Sequence, residues 1–406
     1  MDNAATSFPK PPGVTEAMVH FMENIGANPG RSRHDLSMEA AVIVEDTRKK
    51  LATLFNVPDP RRIVFTLNAT ESLNTVLYGF LKPGDHIVIT QMEHNSVLRP
   101  VRHLERQGVI TVSVAPCDKM GILDVDALKR LIQKNTALVA LNHASNVCGV
   151  IQDVRAVREA AGDIPLLLDA AQTAGAVPID VQDDGIDALA FTGHKALYGP
   201  QGTGGLYVRE GLKINPLKRG GTGSVSELDE QPDFFPDAME SGTRNNVGIA
   251  GLSAGVDFVL RTGIGTIRSH EIELLALFIK RLSDAPGLVM YGPLKPDRQV
   301  PILSITFDRA LPDGLRISFG GCGGRSIPAT FESVHPQEAG TILRENYSIS
   351  VRVGLHCAPL AHKALGTFPE GTVRFSLGYF NTLEDVEIAA QAVRKIAEKV
   401  EFVDED

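Results

Sequence analysis

Between residues 63 and 191, short apolar runs alternate with stretches of helical periodicity, and this rhythm leaves the chain few folds to choose from. The strand candidates are Ile63–Leu67, His86–Thr90, Val109–Val114, Ala137–Leu141, Pro165–Leu168 and Ala188–Phe191. Helical patterns fall between several of them, at Glu71–Phe80, Val125–Gln133 and Val154–Ala161. Another precedes them over His34–Phe55, where Ala41, Val44, Leu51, Leu54 and Phe55 recur at helical spacing. Strands joined through helices of this length run mostly parallel and are covered on both faces. The expected fold is therefore α/β, with a large, mostly parallel sheet sandwiched by helices. Ligands of such sheets lie beyond the C-terminal ends of the strands.

After about residue 260 the pattern changes. Glu271–Leu282 reads as a helix, Ile302–Phe307, Ile349–Val353 and Thr372–Ser376 read as strands, and Glu384–Val400 closes the chain as an amphipathic helix. This predicts a large domain over 16–260, a smaller α+β domain over 261–406, and an arm, 1–15, that joins the small domain. Phe319–Arg325 is too rich in glycine for regular structure and is expected to be a loop.

Composition narrows the function classes. The net charge of −9, from 40 Lys and Arg against 49 Asp and Glu, argues against bulk affinity for nucleic acid. No apolar run approaches the roughly eighteen to twenty residues that cross a bilayer. Residues 1–6 lack a basic segment followed by an apolar one, so no signal peptide and a cytoplasmic location are expected. The four cysteines, at 117, 148, 322 and 357, include no CxxC pair, so no zinc ribbon is written and no metal is expected.

The strand ends carry polar residues. Asn68-Ala69-Thr70-Glu71 opens a helix, where free backbone N–H groups and the Thr70 hydroxyl suit a phosphate, or simply cap the helix. Asp169 ends an apolar run and needs a partner, which could be a metal, a helix start, or the protonated ring nitrogen of pyridoxal phosphate. Lys195 lies between an apolar strand and the glycine-rich Gly199–Gly205, a setting in which a desolvated amine can form a Schiff base. Cys357, between His356 and Pro359 on a glycine-bounded loop, is either a buried structural thiol or a usable thiolate. Arg374, in the strand Thr372–Ser376, either faces solvent or clamps a carboxylate.

Taken in order, Asp2–Thr6, Asn68–Glu71, Glu93–Ser96, Ser145–Val147, Asp169–Gln172, Gly193–Lys195, Gly242-Thr243, His356–Pro359 and Thr372–Ser376 resemble the cysteine desulfurase and selenocysteine lyase family. That family lies within the class V aminotransferase-like pyridoxal-phosphate enzymes of fold type I. The resemblance implies that Lys195 carries the cofactor and shuttles a proton, with His94 stacked on the ring and Asp169 at the ring nitrogen. It places Gln172 and Asn146 near the ring oxygen, and Ala69, Thr70, Thr192 and His194 at the phosphate. Thr243 would reach that phosphate from the other subunit of a homodimer with shared active sites. Asn28 and Arg374 would hold the carboxylate of L-cysteine, or of L-selenocysteine. Cys357 would take the sulfur as a persulfide and pass it to an acceptor protein. A selenocysteine lyase, another lyase or transaminase, and a non-enzymatic sulfur-carrying scaffold are the alternatives. The stretch 309–333, with Cys322, is longer than in typical relatives.

Overall fold

The structure, a computed structural model, describes residues 1–29, 34–225, 227, 229–307 and 334–401. The expected loop at 319–325, Cys322 and the long stretch 309–333 lie outside the described residues.

A seven-stranded sheet is formed by β1 (Ile63–Thr66), β2 (Asp85–Thr90), β3 (Ile110–Ala115), β4 (Thr136–Asn142), β5 (Leu166–Asp169), β6 (Ala188–Thr192) and β7 (Gly204–Val208). Its order is β1-β7-β6-β5-β4-β2-β3. The block from β3 to β6 is parallel throughout, and only β7 runs against its neighbours. Alternation along each strand divides two cores. Leu166 and Leu168 pack on one face with Leu51, Phe55 and Val157, while Leu167 packs on the other with Leu73, Leu77, Val97 and Val101. Every residue of β5 and β6 is buried, as a sheet covered on both faces requires. Each such leucine contributes roughly 1.5–3 kcal/mol by leaving water.

The strand β7 was absent from the sequence expectation because its first two residues are glycines. Here they serve packing. A Cβ on Gly205 would lie 2.3 Å from Cζ of Phe191, and one on Gly204 would lie 2.7 Å from Cα of Asn68. The helix Asn95–Arg106 was also missed, since Pro100 and four basic side chains obscure an apolar face of Val97, Leu98, Val101 and Leu104.

A second, antiparallel sheet is built from β8 (Leu288–Tyr291), β9 (Ile302–Phe307), β10 (Arg352–Gly354) and β11 (Thr372–Ser376), in the order β10-β11-β9-β8. Helices Ile264–Leu282, Pro336–Tyr347 and Leu383–Glu401 supply the rest of its core. The strand expected at 349–353 begins only at Arg352. Ser348 turns into the left-handed region at φ 55°, and the Ile349 amide closes back on the Leu343 carbonyl, so these residues finish the preceding helix. The N-terminal segment docks on β11, where the Ser376 amide donates to the Met1 carbonyl and the Ala4 amide to the Ser376 hydroxyl. Among the described residues, no single helix is long and apolar enough to cross a membrane.

Candidate active site

The C-terminal ends of the parallel strands converge. Asp169, the last residue of β5, stands in register with Asn142 at the end of β4 and with Ala190 on β6. The segment after β2 brings in His94, and the turn after β6 brings in His194 and Lys195. Together they line a cavity of about 100 Å³ that gathers Ala69, Thr70, His94, Asn146, Asp169, Gln172, Thr192, His194 and Lys195. A larger cavity beside Arg62, Gln231 and Phe235 holds none of these residues.

The floor of the cavity is electrostatically defined. Asp169 is buried, and desolvation raises its pKa against the opposing pull of the Ala171 amide, the Lys195 charge and the Asn142 side chain. Lys195 keeps some surface toward the cavity, but its amine sits deep enough that desolvation pushes it down to about 8. His94 caps the helix Asn95–Arg106. Its Nδ1 accepts from the Ser96 amide at 3.1 Å, which assigns the ring proton to Nε2. Desolvation, with Lys195 and three arginines nearby, holds His94 neutral down to about 4. His194 is likewise pushed to about 4, first by desolvation, and its Nδ1 is buried without a partner.

Elsewhere in the lining, Ala69 starts the helix Ala69–Phe80, and the Thr70 hydroxyl pairs with the Ser96 hydroxyl at 2.7 Å. Thr192 Oγ1 donates to the Thr203 carbonyl at 3.4 Å, and Gln172 Nε2 to the Ala4 carbonyl at 3.1 Å. Asn146 Nδ2 donates to the His356 carbonyl at 2.6 Å, while its Oδ1 is buried without a donor.

Arg374 is 2 % exposed, so the solvent-facing alternative is set aside. Its Nη1 donates to the Asn146 carbonyl at 3.0 Å and its Nη2 to Asp2 Oδ1 at 2.8 Å.

Cys357 is exposed, and this excludes the buried structural alternative. It stands on a tight turn in which the Ala358 amide donates to the Leu355 carbonyl at 2.9 Å. Both central residues are left-handed, His356 at φ 47° and Cys357 at φ 59°, a strained pairing that the surroundings must enforce. Asn146 holds the first carbonyl of that pair, and the Asn95 amide holds the second at 2.8 Å.

A class-V aminotransferase model matches residues 1–316 and 323–388. The chain belongs to the class-V aminotransferase family. As a class-V chain it is similar to a probable cysteine desulfurase of Methanothermobacter thermautotrophicus, 32% identical over 97% of this chain and 94% of that protein. Among solved structures, it superposes on a cysteine desulfurase of Thermococcus onnurineus at 33% identity and TM-score 0.85, covering 98% of this chain and 94% of that one. The cysteine desulfurase CsdA of Escherichia coli, in an S-sulfonic acid form, matches at 31% identity and TM-score 0.82 over the same shares.

Four expected site residues of this class-V chain do not line the cavity: Arg374 adjoins it through its bond to Asn146 and Cys357 through its bond to Asn95, while two stand apart. Thr243 is exposed and lines a separate cleft with Glu71, Lys218 and Glu240. Asn28 is exposed, its carbonyl accepting from Ser37 and its Oδ1 from Asn246. His356 gives no positive charge to its neighbour thiol. Its ring turns inward to Thr372 at 3.0 Å, and desolvation, then Arg374, pushes its pKa down to about 2. Sequence reasoning left Glu93, Asn142, Asp2 and Arg352 without roles. Arg352 pairs with Arg374 across β10 and β11 and adds positive charge felt at His94 and Lys195. For Asn142, the strand-end rule that selected Asp169 was signal enough.

Proposed function

We propose that this chain is a cysteine desulfurase that converts L-cysteine to L-alanine and takes the sulfur onto Cys357. The observation that carries this reading is the tethering of an exposed thiol to the cavity. Asn146 and Asn95 clamp the carbonyls of His356 and Cys357, and both clamps come from segments that also frame the Lys195–Asp169 pair.

Pyridoxal phosphate is the cofactor of the family, and the residues present fit it. Asp169 is a buried carboxylate that calls for a cationic or proton-bearing partner. His194 Nδ1 and Asn146 Oδ1 are buried at the cavity with no partner from the protein, as positions that await a polar ligand would be. When bound, the group supplies an electron sink for bonds at the substrate α-carbon.

Lys195 would carry the cofactor, Asp169 would hold its ring nitrogen and His94 would lie against its ring. Gln172 and Asn146 would serve the ring oxygen. The phosphate would sit at Ala69, Thr70, Thr192 and His194, where the start of a twelve-residue helix offers free N–H groups. Arg374 would grip the substrate carboxylate. The neutral amine of Lys195 takes the proton from the α-carbon and later returns a proton to the product. The Cys357 thiolate attacks the substrate sulfur. An S–S bond forms as the C–S bond breaks, its electron pair staying with carbon, so that alanine leaves and a persulfide remains on Cys357. A thiolate of an acceptor protein then attacks the outer sulfur, so that a new S–S bond forms on the acceptor as the Cys357 S–S bond breaks and the Cys357 thiolate is restored. Thr243 and Asn28, exposed and outside the cavity of their own chain, suit contribution to the site of a second copy in a homodimer.

The test is a cysteine turnover assay that counts alanine and locates the bound sulfur by mass spectrometry. Equimolar alanine and a persulfide on Cys357 are expected. Turnover with the sulfur on another cysteine would overturn the reading.

A further inference from the structure

Glu93 follows β2 and is wholly buried, yet it belongs to no ion pair among the described residues. Its Oε1 accepts from the Thr90 hydroxyl at 2.8 Å and from the Asn142 backbone amide at 2.9 Å. Asn142 stands opposite Asp169 in the parallel β4–β5 register, so the two side chains leave the sheet on the same face, and the Asn142 amide acts to lower the pKa of the Asp169 carboxyl. Two oxygens in this cluster lack any donor, Glu93 Oε2 and Asn142 Oδ1. They belong to residues already in contact through Oε1. One proton on Oε2 supplies the donor that both oxygens lack.

We propose that Glu93 is a positioning residue: as the uncharged acid it donates from Oε2 to Asn142 Oδ1, and Asn142 in turn aims the Asp169 carboxylate at the cofactor. The chain runs from the Thr90 hydroxyl to Glu93, from Glu93 to the Asn142 amide oxygen, and from the Asn142 NH2 to Asp169. It keeps the negative charge of the pair on the carboxyl that lines the cavity. The titratable groups around Glu93 agree with this assignment. Burial, reinforced by the Asp169 charge, raises the Glu93 pKa to about 8. Cys117, which also feels Glu93, is pushed by burial up to about 12 and carries no charge. No basic side chain among the described residues bonds to Glu93 to hold it ionised.

This inference rests on the reading of Asp169 as the partner of the cofactor ring, so the test separates the two. The affinity of the apo protein for pyridoxal phosphate is measured by absorbance titration in wild type, Glu93→Gln, Glu93→Ala, Asn142→Ala and Asp169→Ala. The pH at which the visible absorption of the bound cofactor changes is recorded for each. Glu93→Gln presents an amide N–H where the acid O–H stood, and is expected to stay within about twofold of wild-type Kd with an unmoved spectral midpoint. Glu93→Ala and Asn142→Ala should each weaken Kd by about tenfold and shift that midpoint, and a double variant that combines the two, titrated in the same way, should go no further. Wild-type Kd in Asp169→Ala defeats the Asp169 reading. A large loss in Asp169→Ala with wild-type behaviour in Asn142→Ala overturns the Glu93 relay alone. So does a loss in Glu93→Gln as large as that in Glu93→Ala.

Discussion

Arg374 and Asp2 are joined at 2.8 Å, so the guanidinium expected to grip a substrate carboxylate already holds a carboxylate from the second residue of its own chain. Arg374 Nη1 is occupied by the Asn146 carbonyl and Nε is buried without a partner. The fork is thus aimed from two sides before any substrate arrives. Asp2 is one-third exposed, which limits its pull to roughly 1 kcal/mol. Asp2→Ala should raise KM for cysteine about fivefold and leave kcat almost unchanged. Arg374→Lys, which keeps charge but loses the fork, should raise KM by at least about tenfold with cofactor content intact. Steady-state kinetics on both variants checks this; an unchanged KM in Arg374→Lys would rule out carboxylate recognition there.

Cys357 is exposed whereas Cys148 is fully buried and Cys117 partly so. Reactive thiols need access as well as thiolate character. Cys357→Ala should therefore lose at least about 100-fold of alanine release from cysteine, while Cys117→Ala and Cys148→Ala keep most of it. Selenocysteine, whose selenium leaves more readily, should remain a better substrate for Cys357→Ala than cysteine does. Parallel assays with both amino acids settle the comparison, and full cysteine turnover by Cys357→Ala would exclude the persulfide route.

The Lys195 amine is pushed down to about 8 by desolvation, against the raising effect of Asp169. Only the unprotonated amine adds to a carbonyl, so the rate at which apo protein captures pyridoxal phosphate should rise with pH through about 8. An ordinary lysine would put this midpoint near about 10.4. Stopped-flow mixing gives the profile. Borohydride reduction followed by peptide mass analysis should then find the pyridoxyl adduct on Lys195 and on no other lysine.

The apo protein should be most stable near pH 6.5. His94, His143, His194 and His362 have folded pKa values pushed to about 4 by burial, below the ordinary 6.5. As pH falls from 6.5 toward 4, the unfolded chain binds protons that the folded chain refuses, and stability drops. Glu93 and Glu271 act in the other direction, since burial raises both from 4.5 to about 8. Between 4.5 and 8 the folded chain retains protons that the unfolded chain has released, so rising pH costs stability. Below 6.5 these four histidines, together with His356, outweigh the two acids; between 6.5 and 8 the two acids act against the Met1 amine alone, whose pKa burial lowers from 8.0. Thermal unfolding across pH 4–8 should show a maximum, and a flat profile between 6.5 and 8 would mean that neither glutamate holds its proton.

Much of the fold was legible because parallel strands announce themselves. Leu166, Leu167 and Leu168 read as buried whichever face they take, and a polar residue that follows them, Asp169, has to have a purpose. The same logic found Lys195 after β6 and the helix start at Ala69. It failed where local composition and tertiary packing disagree. Gly204 and Gly205 look like loop but make a strand, because Phe191 and Asn68 come too close for a side chain.

The sequence by itself determined the class of sheet and the strand ends at which polar residues collect, and its family resemblance singled out the lysine, aspartate and cysteine proposed for the site. Side-chain direction was decided only by the tertiary structure. His356 and Cys357 are neighbours in one left-handed turn, yet one ring faces Thr372 in the core and one thiol faces solvent. Arg374 could have pointed either way from its strand until Asn146 and Asp2, 228 and 372 residues distant in the chain, fixed its fork. Periodicity can say that a position is buried or exposed, but a buried charge or a strained turn persists only where distant backbone and side-chain groups supply its hydrogen bonds.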